Sequence, residues 1–180
     1  MIIINIPNLL TILRILLVPV YVMLVIEGRI HLGLVVFIIA GITDALDGFI
    51  AKRFSQRTEF GANIDPLADK FLLTAAFITL TYTGMLPLWL CALVIIRDMV
   101  IVGGIVMLRW SGRVVEIVPT IAGKITTTLQ IVTVILAMVV TEKDDTMFLA
   151  TLILTALFTL YTGFEYVWRE IRIQTGRDGA

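Results

Sequence analysis

Apolar residues run along this chain in six blocks, each close to the roughly 20 helical residues needed to cross a hydrocarbon core of about 30 Å. The blocks cover approximately 8–27, 31–54, 60–84, 86–110, 118–141 and 146–168, and each predicts a membrane-crossing α-helix. The breaks between them carry turn or charge signals: "EGR" at 27–29, "SQRT" at 55–58, "TGMLP" at 83–87, "SGR" at 111–113 and "TEKDD" at 141–145. The predicted fold class is all-α, an integral membrane bundle of six transmembrane helices. No Pro/Ser-rich linker, low-complexity tract or obvious repeat divides the chain, so 1–180 reads as a single membrane domain.

The basic residues orient the bundle. Lys52, Arg53, Arg57, Arg109, Arg113, Arg169, Arg172 and Arg177 fall in or beside the second and fourth connections and the C-terminal tail. Arg29 and Lys143 are the basic residues of the first, third and fifth connections. An even number of spans puts both termini on one side, and the bias makes that side cytoplasmic. A multi-pass protein of a bacterial-type inner membrane is expected, with Trp89, Trp110, Tyr166 and Trp168 near span ends as interfacial anchors.

Composition agrees. The chain is 59% hydrophobic and 16% charged, with a mean hydropathy of +1.01, against about 25% charged residues in soluble domains. The net charge of zero points to no class of partner, and no nucleic-acid partner is expected. One cysteine, Cys91, excludes an intramolecular disulfide and a multi-cysteine zinc site, and its apolar setting makes it buried filler. The opening "MIIINIPNLL" lacks a basic n-region and a small-residue cleavage site, so no cleaved signal peptide is expected.

Against this background "DALDGFIAKRFSQRTEFGANIDPLADK", residues 44–70, is anomalous. Asp44 and Asp47 stand near the cytoplasmic end of the second span, and Asp65 and Asp69 near the cytoplasmic start of the third. The first pair is three apart and the second four apart, so each shares a helix face. A short connection makes the two helices antiparallel neighbours and lets the faces converge. Four anions in a partly dehydrated cluster repel unless something positive sits among them. Neighbouring Lys and Arg side chains are one source of positive charge. Divalent cations held by carboxylate oxygens are the sharper alternative, and two of them about 4 Å apart form a clamp for phosphoryl displacement. Gly48, Ala51 and Gly61 flank the cluster. A helical glycine costs about 1 kcal/mol relative to alanine, and close approach of a ligand's phosphates to the backbone is one use for it. Helix–helix packing is the other.

Written as D-x2-D-G-x2-A-K-x8-G-x3-D-x3-D, this segment resembles the signature of the CDP-alcohol phosphatidyltransferases, integral membrane enzymes of phospholipid synthesis. Lys52 departs from the pattern, which usually has arginine there; Arg53 follows it, and lysine keeps the charge without the bidentate fork. The opening "NIPNLLTILRILLVP", with Asn8, Thr11 and Arg14 on one helical face, resembles bacterial members. "IIRD" and "GKITTTLQ" extend the resemblance along nearly the whole chain.

The resemblance implies transfer of a phosphatidyl group from CDP-diacylglycerol to a hydroxyl, with release of CMP, and two divalent ions, Mg²⁺ or Mn²⁺. It implies Asp44, Asp47, Asp65 and Asp69 as metal ligands, with Asp69 also the candidate general base. It assigns the nucleotide to Gly48, Gly61 and Lys52 or Arg53, with Asn8, Thr11 and Arg14 joining that site, and it implies a possible homodimer.

Arg97 and Asp98 in the fourth span and Lys124 in the fifth are intramembrane charges, functional by default. With Thr127 they form the expected acceptor pocket, a purely structural Arg–Asp pair being the alternative. Lys70 balances Asp65 or Asp69, or snorkels to the interface, and His31 reads as solvated. Members that use glycerol 3-phosphate typically read R-E in the fourth span, with a second arginine eight residues after the first. Here Asp98 follows Arg97 and Ile105 stands eight on, with Arg109 twelve on. "RDMVIVGGIVMLRW", after "LADKFLLTAAFITLTYTGMLP", resembles instead the members that use phosphatidylglycerol, whose phosphodiester Lys124, Thr126 and Thr127 would anchor. Phosphatidylglycerol is therefore the expected acceptor and glycerol 3-phosphate the alternative. A carboxylate-dependent ion transporter is the rival from another class. It would place ionisable groups near the midplane or along a path, often within an inverted repeat; here they cluster toward one face, and no repeat is visible.

Overall fold

In the computed structural model the backbone is described for residues 6–54, 59–110, 120–140 and 146–174, and the side chains for 12–43, 70–104, 120–140 and 146–168. Among the described residues the chain forms six α-helices: α1 (Ile6–Ile26), α2 (Ile30–Phe54), α3 (Glu59–Tyr82), α4 (Leu88–Trp110), α5 (Ile121–Val139) and α6 (Thr146–Gln174). They match the six apolar blocks to within a few residues, except at the end of α6. There the apolar run ends at Trp168, but "REIRIQ" continues with helix-forming residues, so the helix outlasts the hydrophobicity that predicted it. Among the described residues two helical stretches, Ile121–Val139 and Thr146–Trp168, are long and apolar enough to cross a membrane. Shorter apolar stretches occupy Ile12–Ile26, Ile30–Thr43 and Lys70–Tyr82.

The helices form two compact units, Met1–Leu86 and Pro87–Ala180. In the first, α1 packs along α2 and against α3. Val18, Tyr21 and Val25 of α1 are buried, as are Phe37 and Ala40 of α2 and Leu72, Ala76, Phe77 and Leu80 of α3. Their three- and four-residue intervals give each helix one inward stripe. The Tyr21 and Phe37 rings meet with centroids 5.7 Å apart. The turns at two helix ends share one device. Arg29 N–H bonds to Leu24 O (2.9 Å) and Gly28 N–H to Val25 O (3.1 Å); Met85 N–H bonds to Leu80 O (2.8 Å) and Gly84 N–H to Thr81 O (3.0 Å). Both pairs are Schellman closures, which need a left-handed residue just past the helix. Gly28 (φ 77°) and Gly84 (φ 73°) supply it.

In the second unit α6 packs against both α4 and α5. Thr126 reaches Thr162 (3.5 Å) and Thr133 reaches Thr155 (2.7 Å). Seven residues up α5 thus correspond to seven down α6, an antiparallel register stitched by hydroxyls.

The distribution of polarity is the reverse of a water-soluble bundle. Arg14, Arg97, Gln130 and the hydroxyls of Thr126, Thr133, Thr155, Thr159 and Thr162 are buried. Leu16, Met23, Leu32, Ile78, Ile96, Leu157 and Phe164 face outward. Hydrocarbon solvent selects this arrangement: an apolar exterior costs nothing there, while every polar group needs an internal partner. Cys91 is buried as expected and His31 is exposed. Trp89 and Trp168 are also exposed, near the start of α4 and at the end of the apolar part of α6.

Candidate active site

The four aspartates fall on two helices of the first unit. Asp44 and Asp47 lie in the C-terminal half of α2, and Asp65 and Asp69 in the N-terminal half of α3. Helical backbone through both stretches gives each pair the common face that its spacing predicts. The side chains of Asp44, Asp47, Gly48, Lys52, Arg53, Gly61, Asp65 and Asp69, and those of Asn8 and Thr11, lie outside the described residues. Arg14 lies within them and is fully buried, a guanidinium inside the first unit. The Tyr21–Phe37 contact indicates its level. Seven residues back along α1 and seven forward along α2, a helical rise of about 10 Å in each case, stand Arg14 and Asp44. A buried arginine is tolerated only with anionic or hydrogen-bonding company. The backbone register therefore puts Arg14 at the height where α2 begins its carboxylates.

The second unit builds its own polar cluster around Arg97. This side chain is 9% exposed and its neighbour Asp98 16%. Arg97 Nη1 donates to Asp98 Oδ1 at 2.8 Å, a charge-assisted contact. Arg97 Nε donates to Thr162 Oγ1 of α6 at 3.3 Å. Nη2 makes no hydrogen bond among the described residues and lies 3.8 Å from where a Cβ on Gly123 of α5 would stand. The first turn of α5 is closed by Thr120, whose hydroxyl oxygen accepts from Gly123 N–H (3.1 Å) and whose hydroxyl approaches Glu165 Oε2 of α6 (3.4 Å).

The predicted acceptor residues separate on this geometry. Arg97 and Asp98 meet, and Thr126 joins them through Thr162. The Thr126 hydroxyl, however, is buried against α6, reaching Ala122 O (2.9 Å) and Phe158 O (3.3 Å). Thr127 turns its hydroxyl back to Gly123 O (3.1 Å). Lys124 is exposed, and its ammonium has no ion pair among the described residues. Three participants, Thr120, Thr162 and Glu165, escaped the sequence reading. Thr162 alone left a trace: Thr155, Thr159 and Thr162 recur at helical intervals inside an otherwise apolar span.

Residues 4–161, from the start of α1 well into α6, match the family model of the CDP-alcohol phosphatidyltransferases. The chain belongs to this family. The match spans the aspartate signature and the Arg97–Asp98 pair alike, in a family embedded in membranes. The chain is 34% identical to a probable cardiolipin synthase (CMP-forming) of Drosophila melanogaster, over 92% of this chain and 57% of that protein. It is 33% identical to the human cardiolipin synthase (CMP-forming), over 90% and 60% respectively. It is also 33% identical to a probable phosphatidylglycerophosphate synthase of Mycobacterium tuberculosis, over 93% and 82%. The chain thus spans about three fifths of the two cardiolipin synthases and most of the mycobacterial protein.

Proposed function

We propose that this protein is a metal-dependent phosphatidyltransferase that uses CDP-diacylglycerol, releases CMP and prefers phosphatidylglycerol as acceptor, forming cardiolipin. The observation that carries the reading is the aspartate signature, set on the facing ends of two consecutive helices within the family match. Its donor set, four carboxylates with no soft ligand, suits hard divalent cations such as Mg²⁺ or Mn²⁺. Asp44, Asp47, Asp65 and Asp69 would hold them. When bound, the metal supplies positive charge for the diphosphate of the nucleotide.

The remaining work falls to the chain. Lys52 or Arg53 holds the nucleotide phosphates, and Gly48 and Gly61 let them approach the backbone. Asp69 takes the proton from the acceptor hydroxyl as its oxygen bonds to the phosphatidyl phosphorus. The bond from that phosphorus to the bridging oxygen breaks, and CMP leaves with the electron pair. Arg97 meets the acceptor's phosphate, which both candidate acceptors carry. A cluster at the cytoplasmic ends of α2 and α3 stands at the depth of lipid head groups, where a membrane-bound donor and a soluble product can share one site.

Identity does not separate the acceptors, since relatives of both names lie at 33–34%. What favours phosphatidylglycerol is "RDMVIVGGIVMLRW", where Ile105 stands in place of a second arginine. Purified protein given CDP-diacylglycerol and Mg²⁺ or Mn²⁺ is expected to release CMP and to convert phosphatidylglycerol to cardiolipin faster than it uses glycerol 3-phosphate. Efficient phosphatidylglycerophosphate formation without cardiolipin would reverse the acceptor assignment. Ion flux in liposomes without CMP release would replace the enzyme by a transporter.

The six-span arrangement with cytoplasmic termini is tested by labelling. In a Cys91→Ala background, single cysteines at Ser55 and Ser111 are expected to react from the cytoplasmic side and one at Thr146 from the opposite side. Labelling of positions 55 and 146 from one side would break the topology.

A further inference from the structure

We propose that Thr162 is a positioning residue that aims Arg97 at the acceptor's phosphate; the inference rests on the phosphatidyltransferase reading above. Thr162 sits on α6, one residue beyond the matched segment, and is fully buried. Its own hydrogen is committed to its helix, with Phe158 O at 2.9 Å and Thr159 O at 3.1 Å. The oxygen is thereby left as an acceptor facing α4, and Arg97 Nε fills it at 3.3 Å.

Nε carries a single N–H in the guanidinium plane, so anchoring it orients the plane. Asp98 then takes Nη1 at 2.8 Å. With Nε and one N–H of Nη1 held, in a side chain more than nine-tenths buried, the second N–H of Nη1 is left for a ligand together with both of Nη2. Nη2 lies beside Gly123, at the first turn of α5, where the positive end of the helix also favours an anion. An arginine held only by Asp98, its immediate neighbour on α4, would be free to swing with that carboxylate. Thr162 ties it to a second helix.

A threonine that merely glues α6 to α4 makes a different prediction, because packing supports both substrates alike. Thr162→Val keeps shape and removes the acceptor oxygen, and Thr162→Ala removes it without adding bulk. In either variant the KM for the acceptor (phosphatidylglycerol or glycerol 3-phosphate, whichever the unaltered protein uses) is expected to rise about tenfold. The KM for CDP-diacylglycerol should stay within about twofold, since no nucleotide-site residue is disturbed. Thr162→Ser, which keeps the oxygen, should restore the acceptor KM. In an Arg97→Gln background, Thr162→Ala should have no further effect on acceptor use, the signature of two residues acting through one contact.

An unchanged acceptor KM in Thr162→Ala overturns the proposal. So does an equal rise in both KM values, failure of serine to restore, or an effect that persists without Arg97. Unaltered protein that releases no CMP overturns the phosphatidyltransferase reading, and this inference with it; an active protein with an indifferent Thr162 overturns the inference alone.

Discussion

Asp44→Asn, Asp47→Asn and Asp65→Asn are each expected to lower phosphatidyl transfer by about three orders of magnitude or more, the scale on which a preorganised electrostatic group contributes to a charged transition state. Asparagine keeps the volume and removes the charge, so each variant should still insert and fold. EDTA should abolish activity in the unaltered protein, and added Mg²⁺ or Mn²⁺ should restore it. Stability offers a readout independent of turnover. Without metal the four carboxylates repel one another, so neutralising one should raise the thermal midpoint of the metal-free protein. The same change should shrink the further rise that Mn²⁺ produces in the unaltered protein. Near-normal turnover in any two of the three variants would remove the metal-clamp reading and leave an ion-pair cluster with the neighbouring Lys and Arg.

Arg97→Gln should cost both stability and acceptor use, and the two losses can be separated. Arg97 and Asp98 are 9% and 16% exposed, and breaking a pair that deep by removing one partner costs on the order of 3 kcal/mol. Converting Asp98 to Asn in the same protein should recover much of that stability, because a neutral pair has less desolvation to offset. It should not recover acceptor use, which depends on the cation. The expected pattern is therefore a melting midpoint that falls in Arg97→Gln and rises again in Arg97→Gln/Asp98→Asn, with the acceptor KM raised about tenfold or more in both. If the double variant recovers turnover along with stability, the pair is structural. The phosphate anchor must then be sought elsewhere, with exposed Lys124 the next cation on α5.

How much of this was legible in the sequence follows from the range of the forces involved. Hydrophobic blocks of span length are a local property, so the six helices were readable from their apolar runs, as were the breaks at Gly28 and Gly84, where a left-handed residue is obligatory. The spacing of Asp44, Asp47, Asp65 and Asp69 is likewise local, because helical geometry alone puts each pair on one face. The family match over 4–161 agrees with that signature. The sixth apolar block, 146–168, coincides with the span-length part of α6, and the helix itself runs on to Gln174 because a helix continues wherever backbone propensity allows.

The Arg97 cluster lies beyond such reasoning. That Arg97 and Asp98 are charged residues inside a span could be read directly, but i,i+1 neighbours on a helix do not ordinarily face each other, and nothing in their order says which corner of the guanidinium stays open. That was decided by α6, 65 residues away, which brings Thr162 to Nε. The same antiparallel register turned the Thr126 hydroxyl toward the backbone of α6 and left Lys124 outside. A residue's type and helical phase are written into its neighbours in sequence. Which of its hydrogen bonds are already spent depends on the helix packed against it, and only the tertiary structure decides that.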